Sequence, residues 1–113
     1  MSSPRRDEVW LVALDPTVGS EIQKTRLCLI VSPDEVNVAL RTAIVAPMTT
    51  TERPYPTRVD LHFQEARGQV ALDQIRAVDR TRLVRKLGRI SPKTALAVSQ
   101  TLVEMFTRER ISP

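Results

Sequence analysis

At 113 residues the chain is sized for a single domain, one that buries roughly 65% of its unfolded surface and folds unaided. Its 42% hydrophobic and 27% charged residues exclude collagen-like, coiled-coil and fully disordered chains. Seventeen Lys+Arg against 13 Asp+Glu leave a net charge of +4 and a pI near 10.0, which favours a polyanionic partner.

The first element is Glu8 to Leu14, apolar at both parities. That pattern predicts a strand covered on both faces or buried at an oligomer contact, ended by Asp15-Pro16. Thr17 to Thr25 holds Gly19, Ser20, Glu21, Gln23 and Lys24 and predicts an exposed loop. Leu27 to Val31 is a second short strand, stopped at Ser32-Pro33-Asp34 by a turn or a single helical turn. Thr42 to Met48 reads as a third strand, with Pro47 forcing its end toward a bulge or an edge. Thr49 to Pro56, with Tyr55 between two prolines, is a second exposed loop.

Thr57 to Phe63 then alternates, with Val59, Leu61 and Phe63 inward and Arg58, Asp60 and His62 outward. Gln69 to Ile75 and Leu83 to Ile90 complete the strands. Ser91 is placed to cap a helix whose first position suits Pro92. Ala95, Leu96, Ser99, Leu102, Val103 and Phe106 follow at helical spacing, to about Arg108. Parallel crossovers need about a dozen residues or more, so short strands without intervening long helices cannot form a doubly wound sheet. The pattern predicts a mainly β chain, a small antiparallel barrel with one C-terminal helix.

Pro4-Arg5-Arg6 ahead of Val9 to Leu14 is the one feature resembling a signal peptide, and its apolar run is too short. Nothing approaches a membrane-spanning length. The lone Cys28 closes no intrachain disulfide, as in a reducing cytosol. These features predict a cytoplasmic protein with no membrane association.

The chemistry available is restricted. One His (His62) and one Cys (Cys28) are too few for a histidine or cysteine metal site, and three glycines assemble neither of the phosphate-cradling glycine signatures. No metal and no cofactor is expected. Two-histidine ribonuclease chemistry is excluded as well. His62 falls on the polar side of its strand, as a solvated surface residue does, and Cys28 reads as a buried inert thiol. Trp10, Phe63 and Phe106 occupy core-like positions, leaving Tyr55 as the one stacking platform. Arg80, Arg82, Arg85, Lys86 and Arg89 form either a solvated basic face or a phosphate track. Lys24-Thr25-Arg26 at the lip of the second strand and Met48-Thr49-Thr50-Thr51 leaving the third offer a guanidinium fork and a hydroxyl, donors suited to a phosphodiester. Ordinary surface loops account for the same residues.

The run Glu8 to Pro16, then Val18-Gly19-Ser20-Glu21, Lys24-Thr25-Arg26, Cys28 to Ser32, Ala46-Pro47-Met48-Thr49 and Leu72-Asp73-Gln74-Ile75-Arg76, resembles the MazF/PemK family of toxin endoribonucleases. The likeness extends in order over nearly the whole chain, residues 1–113 forming one toxin domain. It implies an SH3-like barrel with a C-terminal helix, working as a homodimer. It also implies metal-independent, sequence-specific cleavage of single-stranded messenger RNA, through attack of the 2′-hydroxyl to give 2′,3′-cyclic phosphate and 5′-hydroxyl ends. The family's catalytic arginine and threonine fall on Arg26 and Thr49. Arg26 would meet the developing phosphoryl charge and assist proton transfer at the leaving oxygen; a guanidinium rarely gives up its proton, so a base role is awkward. Thr49 would donate to the same phosphate. Ser20, Glu21, Gln23, Lys24, Thr50, Gln74 and Arg76 are candidates for RNA contact, with Glu21 placed to orient Arg26 instead. For Asp73, Gln74 and Arg76, strand-end hydrogen bonding is an equally good reading.

Two departures from the family pattern stand out. Asp7 replaces a usual glycine, a mild change because Asp tolerates left-handed backbone. Leu27 replaces a usual proline, which frees φ beside Arg26 and restores a backbone N–H, consistent with attenuated activity. The implied partner is an antitoxin of the MazE kind, whose disordered acidic tail folds over the basic cleft. The alternative is a non-catalytic toxin like CcdB, which shares the barrel and inhibits DNA gyrase through its helix end; Ile111-Ser112-Pro113 offers no obvious match to that function.

Overall fold

A computed structural model describes residues 3–15, 18–22 and 24–109. Seven strands form one curled antiparallel sheet among them: β1 (Glu8–Ala13), β2 (Thr25–Ile30), β3 (Thr42–Thr49), β4 (Arg58–Phe63), β5 (Ala66–Ala71), β6 (Arg76–Asp79) and β7 (Leu83–Arg89). Helix α1 (Asp34–Ala39) lies between β2 and β3, and α2 (Pro92–Phe106) closes the chain. The spatial order is β4-β5-β3-β2-β1-β7, with β6 added along β3.

β3 organises this half-open barrel. One of its edges pairs with β2 through Cys28↔Pro47, Leu29↔Ala46 and Ile30↔Val45. Its other edge pairs first with β6, from Thr42 to Val45, and then with β5, at Met48 and Thr49. Pro47, which has no N–H to give, sits in the gap between those two partners. The proline therefore does not end the strand at Met48; it marks a hand-over between neighbours, and β3 continues to Thr49.

The alternation divides the core in two. Val9, Leu29, Ala46, Val59, Val70 and Leu72 pack on one side of the central strands, joined by Val98 of α2. Val12, Leu14, Cys28, Ile30, Val45 and Val78 pack on the other. The strand β1 is thus covered on both faces, as its doubly apolar sequence requires. Burial pushes the Cys28 thiol up to about 12, so it is an inert apolar group.

Several elements depart from the local signals. The predicted strand Gln69–Ile75 is two elements: β5 ends at Ala71, Leu72–Gln74 makes a 3₁₀ turn, and Arg76 starts the separate strand β6. A short apolar run does not report a turn inside it when Leu72 is buried like its strand neighbours. Helix α2 begins as expected, with the Ser91 hydroxyl accepting the Thr94 N–H at 3.2 Å and Pro92 in the first turn. Its core-facing stripe is Ala95, Val98, Leu102 and Met105. Leu96, Val103 and Phe106 lie on the adjacent stripe and are exposed, Phe106 at 70%, so Phe106 is not a core residue. The apolar arc of the helix is wider than the area β4 covers. Trp10 is half-buried, its indole N–H donating to Glu8 Oε1 at 3.1 Å. His62 is exposed on the outer face of β4.

Much of the basic surface is structural. Arg82 donates to the carbonyls of Ala13 and Asp15, Arg80 to the Ser3 hydroxyl, and Lys86 pairs with the buried Glu8 at 3.0 Å. Desolvation raises the Glu8 pKa, but the Arg5 N–H, Lys86 and the Trp10 indole together outweigh it and hold the carboxyl below its usual range. Arg85 and Arg89 remain exposed.

The link from α1 to β3 depends on one buried amide. Asn37 Nδ2 donates to the Ser32 carbonyl at 3.0 Å, and the Ser32 hydroxyl bonds both Asn37 Oδ1 and the Ile44 N–H. Asn37→Ala removes the acceptor of the buried Ser32 hydroxyl proton and the amide donor to the Ser32 carbonyl, and is expected to cost about 1–3 kcal/mol of unfolding free energy. Urea denaturation monitored by far-UV circular dichroism measures the loss.

Candidate active site

The register of β2 against β3 decides where the candidate site forms. Ile30↔Val45, Leu29↔Ala46 and Cys28↔Pro47 share one offset. The pairing stops at Cys28↔Pro47, and Arg26 and Thr49 follow two residues beyond it on their strands, lining one cleft. Side chains two residues apart along a strand share a face. Arg26 and Thr49 therefore continue the stripe of Cys28, Ile30 and Val45 beyond the core, where the apolar cover ends and both are reached by solvent. Val12 pairs with Arg26 on one side and Gln69 with Thr49 on the other, so both sit inside the sheet and not on a loose edge.

Two hollows meet at this pair. The larger, about 680 Å³, is polar and is lined by Arg26 and Thr49 with the loops on either side. The smaller, about 280 Å³, is mainly apolar: Leu27, Met48, Leu61 and Phe63 line it together with Arg26 and Thr49. Thr49 Oγ1 accepts the Thr51 N–H at 3.1 Å, which leaves its hydroxyl proton to donate elsewhere. Gly68 lies so close behind that a Cβ added there would meet the Thr49 carbonyl oxygen at 2.7 Å.

The loop before β2 is tied down at its base. Leu14 N–H donates to the Lys24 carbonyl and Lys24 N–H to Asp15 Oδ1, both at 2.9 Å. Lys24 holds a left-handed φ of 70°, which turns the chain into β2 directly ahead of Arg26. Ser20, Glu21, Lys24 and Gln74 line the large cleft beside Arg26 and Thr49. Glu21 Oε1 accepts the Val18 N–H at 2.6 Å. Gln74 Oε1 accepts the Ile22 N–H at 2.9 Å, pinning the loop across 52 residues of sequence. Thr50 lines the apolar hollow instead. Arg76 lines a neighbouring depression and donates to the Leu14 carbonyl at 3.1 Å. Gln23 lies outside the described residues.

Sequence patterning did not find Arg53 and Arg58 as cleft residues. Arg58 reads as an outward strand position, yet its side chain is 7% exposed. Its guanidinium grips Asp73 with Nε at 2.8 Å and Nη2 at 3.2 Å, and Thr57 Oγ1 donates to the same carboxylate at 3.0 Å. The hydrogen bonds from Arg58 hold the Asp73 carboxyl below the usual range, and Asp73 raises the pKa of Arg58 in return. Tyr55 covers the guanidinium, its ring centroid 5.2 Å from the Arg58 carbon. No local signal pairs residue 58 with residue 73; a charged residue at each end of a strand–turn–strand unit is the only trace.

With the geometry in view, comparison with known proteins is decisive. The model of the PemK-like, MazF-like toxins of type II toxin–antitoxin systems matches residues 5–106. The chain belongs to this family. The endoribonuclease MazF9 of Mycobacterium tuberculosis is 32% identical over 108 residues, covering 87% of this chain and 92% of that one. The endoribonuclease PemK of Escherichia coli is 49% identical over a shorter stretch of 49 residues, 43% of this chain and 37% of its own. Among solved structures, a mycobacterial endoribonuclease in complex with its cognate antitoxin superposes with a TM-score of 0.77 at 25% identity, covering 90% of this chain and 93% of that one. The MazF/PemK barrel expected from the sequence is thus the fold observed.

The two departures from the family pattern have visible settings. Asp7 adopts φ 75°, the left-handed conformation a glycine would take there. Its N–H donates to the Ile30 carbonyl, and its carbonyl accepts from Ile90, so the conformation joins β2 to the end of β7. Leu27 stands opposite Leu11 in the β1–β2 ladder with its side chain against the first core cluster. Ladder pairing and burial restrain the backbone beside Arg26 where a proline ring would do so covalently.

The Arg58–Asp73 pair carries a pH signature. Asp73 has a folded pKa below its unfolded value, so its contribution to stability is present above about pH 4 and is lost as pH falls through the lowered value. The carboxylate is 31% exposed, so solvent screening limits the effect to about 1 kcal/mol or less. Asp73→Asn is expected to lower the melting temperature at pH 7, and by less at pH 3, as the unfolded-state carboxyl takes up its proton. Thermal melts at both pH values test this.

Proposed function

We propose that this chain is the toxin of a toxin–antitoxin pair and acts in the cytoplasm as a metal-independent, sequence-specific endoribonuclease on single-stranded messenger RNA. Arg26 and Thr49 are its catalytic residues. The observation that carries the reading is their shared hollow: a guanidinium and a hydroxyl from separate strands that line one cleft large enough for nucleotides. In this reaction the 2′-oxygen bonds to phosphorus as the bond to the 5′-oxygen breaks. The attacking hydroxyl loses its proton, the leaving oxygen gains one, and the products are a 2′,3′-cyclic phosphate and a 5′-hydroxyl. Arg26 supplies a planar fork to the phosphoryl oxygens as their charge grows, and Thr49 donates one further hydrogen bond. Positioning on a rigid sheet supplies the in-line geometry.

Ser20, Glu21, Gln23, Lys24, Thr50, Gln74 and Arg76 are the proposed RNA-contacting group. Those that line the cleft do so beside Arg53, which with Lys24 and Arg26 makes a cationic track for a backbone. The same surface suits the acidic, disordered tail of a cognate antitoxin, and we take the working unit to be a homodimer. Family membership favours this reading over gyrase inhibition of the CcdB kind, whose expected determinants near 111–113 lie outside the described residues.

Purified protein incubated with single-stranded RNA in EDTA is expected to cut it, and end-mapping of the fragments should find cyclic phosphate and 5′-hydroxyl termini. RNA left intact, or cleavage abolished by the chelator, overturns the reading. Arg26→Ala is expected to lose at least about 10²–10³ in rate, as for an oxyanion donor. Arg26→Lys should fail similarly, because a point charge lacks the fork. Gly68→Ala, which forces the Thr49 carbonyl to move, is expected to lower the cleavage rate while circular dichroism shows the fold retained.

A further inference from the structure

Tyr55 takes no part in breaking the bond, yet its setting is more constrained than that of an ordinary loop residue. It lies between Pro54 and Pro56, whose rings restrict the backbone on both sides. Its carbonyl accepts the Arg58 N–H at 3.0 Å, closing a turn into β4. Its ring lies over the Arg58 guanidinium, which the bidentate bonds to Asp73 hold in place. Nearly half of the residue, 49%, is nonetheless exposed, and it lines the same cleft as Arg26 and Thr49. The other large aromatics are engaged differently: Trp10 with Glu8, Phe63 against the core, and Phe106 out on the far end of α2.

We infer that Tyr55 is a stacking platform for one nucleobase flanking the scissile phosphate, with Arg58 and Asp73 as positioning residues that hold the ring. The inference rests on the ribonuclease reading and extends it to a specific subsite. An aromatic ring backed by a fixed cation and flanked by prolines loses little conformational freedom when a base covers its open side. Every base has a π-face, so stacking here sets where the strand sits relative to Arg26 and Thr49 without selecting a sequence. A flanking base held on Tyr55 and a phosphate held on Arg26 would fix two points of the backbone, as in-line attack requires.

The test uses the full chain and the RNA oligonucleotide found by end-mapping to be cut. A single 2′-deoxy substitution at the cleavage nucleotide blocks attack, and 2-aminopurine is placed at each flanking position in turn. On binding, wild type and Tyr55→Phe are expected to quench the fluorophore at one position. Tyr55→Leu, which keeps bulk but has no π-system, should abolish that quench and weaken affinity roughly 10- to 100-fold, measured by fluorescence anisotropy. Asp73→Asn should reduce the quench at that same position. Unchanged quench or affinity in Tyr55→Leu overturns the stacking role while wild-type cleavage stands. Failure of the wild type to cut RNA overturns both readings.

Discussion

The pairing of β2 with β3 is the constraint on which the rest of the molecule depends. It lies at the centre of the sheet order, and its three consecutive pairs end just before Arg26 and Thr49, which emerge past the core into one cleft. A slip of one residue would turn Arg26 to the opposite face, against Leu11 and Met48, and bring an apolar side chain to the cleft. Burial enforces the register: Cys28, Ile30 and Val45 are fully enclosed on one side, and Leu29 and Ala46 on the other. The hydrophobic core therefore does more than stabilise the chain. It meters the position of two polar side chains at its open end.

The position of Thr49 has a second origin, in the way β3 changes partner. β6 occupies its edge up to Val45 and β5 takes over at Met48, with Pro47 in the interval. That arrangement lets the end of β3 leave one neighbour and curl onto another, which opens the barrel there. Gly68 completes it, because only a residue without a side chain allows β5 to approach the Thr49 carbonyl this closely. Curvature, strand exchange and a missing Cβ converge on one hydroxyl.

The abundance of arginine also has a structural meaning. Arg76 and Arg82 donate to carbonyls at the end of β1, and Gln74 reaches back to Ile22, so the cationic residues and their neighbours lash the loop before β2 to the barrel. Arg58 is spent on Asp73 and Tyr55. A net basic chain thus uses part of its charge for architecture and presents another part, Lys24, Arg26 and Arg53, around one cleft. This division explains why the basic run from Arg80 to Arg89 is a mixture, with Arg80, Arg82 and Lys86 engaged internally and Arg85 and Arg89 facing solvent.

What the sequence by itself determined is local in origin. Val59, Leu61 and Phe63 alternate because one face of β4 meets the core, Ser91 and Pro92 start α2 because capping is a matter of adjacent residues, and the Arg26 and Thr49 motifs are continuous strings. The left-handed tolerance of Asp7 was legible for the same reason. Only the tertiary structure decided the split of Gln69–Ile75 into strand, turn and strand, the outward stripe of α2 that carries Phe106, and the joining of Arg58 to Asp73 beneath Tyr55. Each of these depends on partners distant along the chain, and such contacts are set by sheet order and register, which the backbone acquires only once the non-local pairings have formed.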